Sequence, residues 1–328
     1  MMTGNFIRMI CQFFILMLCI IVTFKVWIDI TNLESSVCDK KVYYRDIKSV
    51  RVLSFNMFMR SWCFGDHKNK RLDVFINNYL KDFDIVCLQE MFGVFTFRCH
   101  NLIKIAKKMG FKYSVVPSNP SLSSKKLIDS GLVILSRYNI LEHKFIPYKD
   151  SIYVDKYAEK GFQHCKISIN GYIIDLINTH IQASYKIDDD IGDRVKFLQI
   201  EQLGKYIEKC NNPLVCGDMN CDGNNDKYGL LLKLLKFKQK NDLIRLFSKS
   251  KIRPFTTYCM YDKETGNETG TWLEDPVENS ICIPQSIDYI FYKNTRVFKC
   301  IDAKVNQFAM KNSYVSDHFG VEATFKLK

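Results

Sequence analysis

The chain has no CxxC pair, and its thirteen cysteines show none of the Cys/His spacings of a zinc site. An odd, scattered set of that kind does not make a disulfide framework. Cys87 and Cys216 lie inside apolar runs and read as small buried hydrophobes. There is no GxSxG, no HExxH and no glycine-rich P-loop, which leaves serine-hydrolase and nucleotide-kinase chemistry without support. No Pro/Gly/Ser-rich linker divides the chain after residue 50, and no internal repeat is present. One large domain is therefore expected of the 328 residues. What is present is ordinary globular material, 47% hydrophobic and 25% charged, enough for a sizeable core. The formal net charge of +12 suits an anionic partner, nucleic acid or an acidic membrane surface, or it serves only solubility.

The N-terminus is the one long apolar run. Met9–Phe24 is broken only by Gln12 and Thr23, with Arg8 before it and Lys25 after it. Val26, Trp27 and Ile28 extend it, with Trp27 at an interface position. No Ala-x-Ala cleavage site follows, so the expectation is an uncleaved membrane anchor, with a removed signal as the alternative. Either way the remainder is expected outside the cytosol. The organisation read from this is residues 1–30 as anchor or signal, 31–48 as a polar connector and 49–328 as the working domain.

Strands alternate with helices from there on. Val50–Asn56, Asp84–Glu90, Ser130–Ser136, Ile287–Tyr292 and Val321–Phe325 read as strands. Asn69–Phe83, Phe97–Met109, Asp193–Lys209 and a patch over Tyr228–Phe247 read as helices. Asn170-Gly171 between His164–Ile169 and Tyr172–His180 is a strong hairpin signal. The mixture predicts an α/β or α+β protein with mixed sheets.

The stretch Asn212–Asn220 concentrates the chemistry. Leu214, Val215 and Cys216 suit a buried strand, Gly217 permits a turn or a close approach, and Asp218 and Asn220 follow at a spacing of two. Residues i and i+2 of an extended chain point the same way, so this pair is expected to converge on a phosphate, a metal or a water. Alone, such a stretch reads as a turn. The pattern recurs, however: strand-like runs also end in Asn56, Glu90, His180 and Asp317-His318. Polar residues on loops held by a rigid sheet are where active sites gather. Glu90 with Asn56 offers oxygen ligands to a hard cation, Mg²⁺ or Mn²⁺ in its place. Two histidines with carboxylates supply a base and charge stabilisation for attack on phosphorus, and Asp288 is placed to orient one of them.

These residues resemble the endonuclease/exonuclease/phosphatase superfamily, and within it the neutral sphingomyelinases. The resemblance is carried by LSFN (Leu53–Asn56), DIVCLQEMF (Asp84–Phe92), DSGLVILSR (Asp129–Arg137), KGF (Lys160–Phe162), NTHIQA (Asn178–Ala183), GDMN (Gly217–Asn220), GTW (Gly270–Trp272), SIDYI (Ser286–Ile290) and SDH (Ser316–His318). They run in the family's order over residues 50–328. The resemblance implies a four-layer α/β/β/α sandwich with the site at one edge of two mixed sheets. It implies Glu90 as the main metal ligand aided by Asn56, His318 as the base, and Asp288 as its holder. Asp218, Asn220 and His180 should position water and stabilise the phosphorane. Asp317 should support either the metal or the His180 side, and Lys160 should contact the substrate phosphate. The implied substrate is sphingomyelin or a related phospholipid at a membrane surface, rather than nucleic acid.

One departure stands out. Secreted bacterial members carry a long aromatic hairpin before SDH that dips into membranes, whereas Lys304–Val315 here is short and holds only Phe308, Met310 and Tyr314 as large apolar or aromatic side chains near its tip. The N-terminal anchor is expected to substitute for it. The rival readings are a nuclease on the same fold, favoured by the +12 charge, a phosphoinositide-type phosphatase, and a membrane-anchored non-catalytic binding module.

Overall fold

Side-chain alternation along a few strands sets the layers. The structure, a computed structural model, describes residues 17, 34–37, 47–60, 66–120, 126–271, 273, 279–311 and 313–328. β1 (Ser49–Asn56), β2 (Ile85–Gln89), β3 (Tyr113–Val115) and β4 (Val133–Ser136) come first. β5 (Asn139–Pro147), β6 (Gly161–Ile169), β7 (Tyr172–His180) and β8 (Pro213–Asp218) follow. Then come β9 (Thr257–Asp262), β10 (Glu268–Thr271), β11 (Ser280–Gln285) and β12 (Asp288–Tyr292). β13 (Phe298–Asn306), β14 (Ala309–Met310), β15 (Ser313–Tyr314) and β16 (Gly320–Leu327) close the chain. The helices are α1 (Lys68–Val74), α2 (Arg98–Lys108), α3 (Asp190–Ile207), α4 (Tyr228–Leu234) and α5 (Leu243–Phe247).

One sheet has six strands in the order β13-β16-β1-β2-β4-β3, and the other has five in the order β12-β8-β7-β6-β5. Both are mixed: β1 with β2 and β7 with β8 are parallel, and the other pairs are antiparallel. Val50 and Val52 of β1, Ile85 and Cys87 of β2, Ile174 and Leu176 of β7, and Leu214 and Cys216 of β8 fill the space between the sheets. The alternate residues Leu53, Phe55, Val86 and Leu88 face outward onto α1 and α2, where Leu72, Leu102 and Ala106 meet them. On the other side Ile177, Val215 and Phe291 pack against Ile200, Leu203 and Leu231 of α3 and α4. The result is the expected helix, sheet, sheet, helix layering. The hairpin at Asn170-Gly171 forms with both residues at positive φ, 48° and 78°, as a two-residue primed turn requires.

Two helices differ from the periodicity reading. The run expected over Asn69–Phe83 is α1 followed by a π turn at Phe75–Tyr79 and a 3₁₀ turn at Leu80–Asp82. Asn77 and Asn78, weak helix formers, sit where the regular spacing is lost. The patch over Tyr228–Phe247 divides because Lys236 takes a left-handed conformation (φ 60°) just beyond α4. Asp242 then caps α5 by accepting from Arg245 N at 3.3 Å. The nine described cysteines are all free, and Cys87 and Cys216 are buried in the core as expected.

The expectation of a single N-terminal anchor holding the domain outside the cytosol is corrected. No helix among the described residues is long and apolar enough to cross a membrane. The run Met9–Ile28 that motivated the anchor lies, apart from Met17, outside the described residues.

Candidate active site

The rows that fill the inter-sheet core turn polar at one edge. Continuing Val50 and Val52 by twos gives Ser54 and Asn56; continuing Ile85 and Cys87 gives Gln89. The same step leads from Ile174 and Leu176 to Asn178 and His180, and from Leu214 and Cys216 to Asp218. Asn56, Gln89, Asn178 and Asp288 are fully buried. Buried polar groups of this kind must be hydrogen-bonded, and most are. Gln89 Nε2 donates to Asn178 Oδ1 at 2.7 Å, and Asn178 Nδ2 donates to the Leu88 and Val133 carbonyls at 3.0 and 3.2 Å, which ties the two sheets together.

Asn56 Nδ2 donates to Glu90 Oε1 at 3.0 Å and to Asp218 Oδ2 at 3.1 Å, so the end of β1 joins carboxylates from both sheets. Its side-chain oxygen accepts from Phe58 N at 3.0 Å. Asn56 Nδ2 thus positions the carboxylates, while its Oδ1, with one lone pair taken up by Phe58 N, keeps a second. Glu90 lies one step out of the inward row, and a left-handed backbone (φ 51°) accompanies its turn into the site. Buried Asp129, from the DSGLVILSR stretch, pins the loop after Glu90 by accepting from Gly93 N, Val94 N and Gly131 N, each at 2.8 Å.

β8 and β12 pair so that Asp218 and Asp288 stand side by side. On its other side β8 lies close against β7 at Gly217, where a Cβ would stand 2.2 Å from the Thr179 carbonyl oxygen. Asp288 Oδ2 meets His318 Nδ1 at 2.8 Å, and the other imidazole nitrogen is 3.8 Å from Asp218 Oδ2. His180 Nε2 lies 3.7 Å from the same oxygen. Asn220 does not extend the strand as the spacing of two implied. Its φ is 47°, its N–H donates to Asp218 Oδ1 at 2.9 Å, and its Nδ2 donates to the Ile181 carbonyl at 3.0 Å. Asn220 therefore fastens the end of β8 to the end of β7 while still lining the pocket.

The electrostatics separate the two histidines. Burial, with help from Lys160 and His318, pushes His180 well below the ordinary histidine pKa, which favours the neutral ring. Burial also opposes charge on His318, but Asp288, Asp317 and Asp218 outweigh it and raise its pKa well above the usual value. Burial and neighbouring Asp288 lift Asp218 to about 7. Burial and Glu90 lift Asp317 to about 6. Ser316 and Thr257 hold this segment: Ser316 Oγ donates to the Asn56 carbonyl at 2.7 Å and Thr257 Oγ1 to the Asp317 carbonyl at 2.9 Å. Lys160 lines the pocket and is also held by its neighbours. Its Nζ is 3.2 Å from Asp155 Oδ1 and donates to the Ile181 carbonyl at 3.3 Å. Asp155 in turn holds Gln182 and Ala183 at 2.8 and 3.1 Å, so the pair positions the strand end that carries His180.

A cavity of about 610 Å³ opens on these groups, lined by Glu90, His180, Asp218, Asn220, Asp317 and His318 among others. Glu268 of β10 also lines it, lifted to about 7 by burial and by Asp317. Sequence reading passed over Glu268; its position two residues before GTW was the available signal. Two buried arginines were also missed. Arg71 Nη1 donates to the Met57 and Val315 carbonyls at 2.9 and 2.7 Å, joining the end of β1 to the segment before SDH. Arg253 donates to Asp242 at 3.0 Å and to the Asp288 carbonyl at 2.7 Å. Neither arginine falls in a motif.

The donor set around Glu90 is oxygen-rich and carries more negative charge than its neighbours offset, since burial and like charges raise Asp218, Asp317 and Glu268 together. A divalent cation relieves that excess, so these residues fit one. Asp218, Asp288 and His318 also each offer an atom within 4.8 Å of the others, but His318 Nδ1 is already committed to Asp288.

Comparison with known proteins agrees with this chemistry. The pattern of the Endonuclease/Exonuclease/phosphatase family matches residues 53–318. A sphingomyelinase of Dictyostelium discoideum is 30% identical over 203 residues, which is 50% of this chain and 44% of that protein. Sphingomyelinase C of Listeria ivanovii is 24% identical over 279 residues, 74% of this chain and 76% of that one. Among solved structures, a mutant of Staphylococcus aureus beta toxin with bound magnesium ions superposes with a TM-score of 0.61 at 22% identity, covering 85% of this chain and 100% of its own.

Proposed function

The chain belongs to the Endonuclease/Exonuclease/phosphatase family, in its sphingomyelinase branch, and from that premise we propose that it is a Mg²⁺-dependent phosphodiesterase hydrolysing sphingomyelin to ceramide and phosphocholine. The observation that carries the reading is the buried His318–Asp288 pair, whose outer nitrogen faces Asp218 beside a pocket of oxygen donors. Water attacks phosphorus, a new P–O bond forms, and the bond to the ceramide oxygen breaks. The unprotonated form of His318 takes the proton of the attacking water at Nε2, and Asp288 holds the ring and stabilises the imidazolium, the form that the surrounding carboxylates favour. The leaving ceramide oxygen takes up a proton from solvent. Neutral His180 donates a ring N–H toward a phosphoryl oxygen, and Asp218, fixed by Asn56 and Asn220, orients the water. Glu90 and Asp317 are the residues to hold the cation, which when bound supplies charge neutralisation at the phosphate.

The +12 charge favours a nuclease on the same fold as the second reading. One panel separates them: sphingomyelin in mixed micelles, lysophosphatidylcholine, an inositol phosphate and plasmid DNA under a single Mg²⁺ condition. Phosphocholine release from sphingomyelin is expected. Nicking of DNA without any phosphocholine moves the protein to the nuclease reading.

A further inference from the structure

The mouth of the pocket is edged on one side by large apolar side chains left in solvent. Leu127 is 55% exposed, Val154 62%, Tyr157 44%, Ile187 46% and Ile191 66%. They come from separate loops and the first turn of α3, and contacts between those segments hold them together. Leu127 N donates to the Tyr157 carbonyl at 2.7 Å. Tyr153 packs edge-on against Tyr185 at 5.7 Å, one residue before the Lys186-Ile187 tip, and its hydroxyl donates to Asp189 Oδ1 at 2.8 Å beside Ile191. Val154 and Ile187 line the pocket itself, so the patch is continuous with the site.

Two features set this patch apart from scattered surface apolar residues, which need no explanation. Tyr153 is held at φ 53°, a left-handed conformation that a bulky side chain rarely adopts. The turn Tyr153–Tyr157 starts at that residue and presents Val154 and Tyr157 outward while Asp155 is turned in. The apolar residues are also interleaved with lysine: Lys126-Leu127, Lys156-Tyr157 and Lys186-Ile187. Apolar and aromatic side chains with lysine beside them suit the boundary between acyl chains and headgroups. The short hairpin does not serve this purpose. Phe308 beside it is 2% exposed and packs against Phe55, Tyr79 and Phe83 in the core.

We propose that the rim formed by Leu127, Val154, Tyr157, Ile187 and Ile191 is the surface by which this protein docks on a lipid bilayer, placing the pocket mouth against the headgroups. Such docking rests on the lipid reading of the substrate. Asp188 and Asp190 are exposed at the same edge, so the rim carries both signs of charge and its hold on the bilayer is mainly apolar. Binding therefore persists at high salt, unlike attraction that depends on the overall basic charge.

The test uses Leu127→Asp with Ile191→Asp, two positions outside the pocket lining. Ile173→Asp, at the opposite end of β7 from His180, is the control. Sedimentation with phosphatidylcholine/sphingomyelin vesicles at high salt is expected to fall on the order of 10-fold or more in the double variant, from the loss of two buried apolar side chains. Hydrolysis of a monodisperse, water-soluble phosphocholine ester should be unchanged, and the control should bind as wild type. Wild-type-like vesicle binding by the double variant overturns the rim, as does equal loss in the control or no vesicle binding by the wild type. Loss of a self-associated form with vesicle binding intact assigns the patch to a second copy and also overturns it. If the wild type binds vesicles, the double variant does not, and neither releases phosphocholine, the rim stands and the substrate reading fails.

Discussion

The same parallel strand pair, β7 and β8, carries a histidine–aspartate group at each end. At one end His164 Nε2 meets Asp175 Oδ1 at 2.9 Å, and His164 Nδ1 meets the Tyr206 hydroxyl at 2.8 Å. The other oxygen of Asp175 accepts from Asn211 N and Asn212 N at 3.0 and 3.2 Å. Both ring nitrogens and both carboxylate oxygens there have a partner. At the other end Asp288 Oδ1 is buried with no hydrogen-bond partner among the described residues, and Asp218 is lifted to about 7. The far end is a saturated network that joins β6, β7, α3 and the entry to β8. The near end keeps capacity in reserve, and buried capacity of that kind costs stability unless something bound uses it.

Breaking each end in turn sharpens the contrast. His318→Ala should lower kcat per folded molecule by on the order of 10²–10⁴-fold, the usual range for a lost general base. A variant within a few-fold of wild type sinks the assignment. Asp288→Asn should cost less than His318→Ala, because Asp288 orients the ring without taking the water's proton; steady-state kinetics on both variants check the order. At the far end Asp175→Ala orphans His164 and two backbone N–H groups and should cost about 1–3 kcal/mol of stability in denaturant unfolding, while kcat per folded molecule stays the same. Equal loss of activity there erases the distinction between the ends.

The smallest effect is on pH. Burial alone would raise Asp175, but His164 and the N–H groups of Asn211 and Asn212 outweigh it and hold its pKa below the ordinary value. Its contribution is present above the unfolded aspartate pKa of about 3.9 and is lost as pH falls through the lower folded value. Asp218 runs the opposite way. Its folded state binds the proton more tightly than the unfolded chain, so metal-free protein loses stability as pH rises from about 3.9 toward 7. Chelated protein followed by thermal unfolding across that range should show the second slope in wild type, reduced in Asp218→Asn.

Much of this was legible in the sequence where the physics is local. Asn170-Gly171 encodes its turn, and the apolar rows ending in Asn56, His180 and Asp218 encode both sheet faces and the polar edge. β5 and β13 were not read, because each carries a register shift, between Ile140 and Glu142 and between Cys300 and Asp302. A shift of that kind breaks the alternation that marks a strand. The extended course expected through Asn220 fails because its φ of 47° ends β8 at Asp218. The ion pair of Lys160 with Asp155 was not legible, because Asp155 lies in a separate loop. Arg71 and Arg253 act through carbonyls far away in sequence, and such contacts leave no local pattern.

The most direct measurement follows phosphocholine release from sphingomyelin in mixed micelles by wild type and His318→Ala, first with Mg²⁺ and then with excess EDTA. The account predicts release by wild type with Mg²⁺ alone, abolished by EDTA, restored by added Mg²⁺, and lower by on the order of 10²-fold or more in the variant. Full release in EDTA, or release by His318→Ala at the wild-type rate, would contradict it.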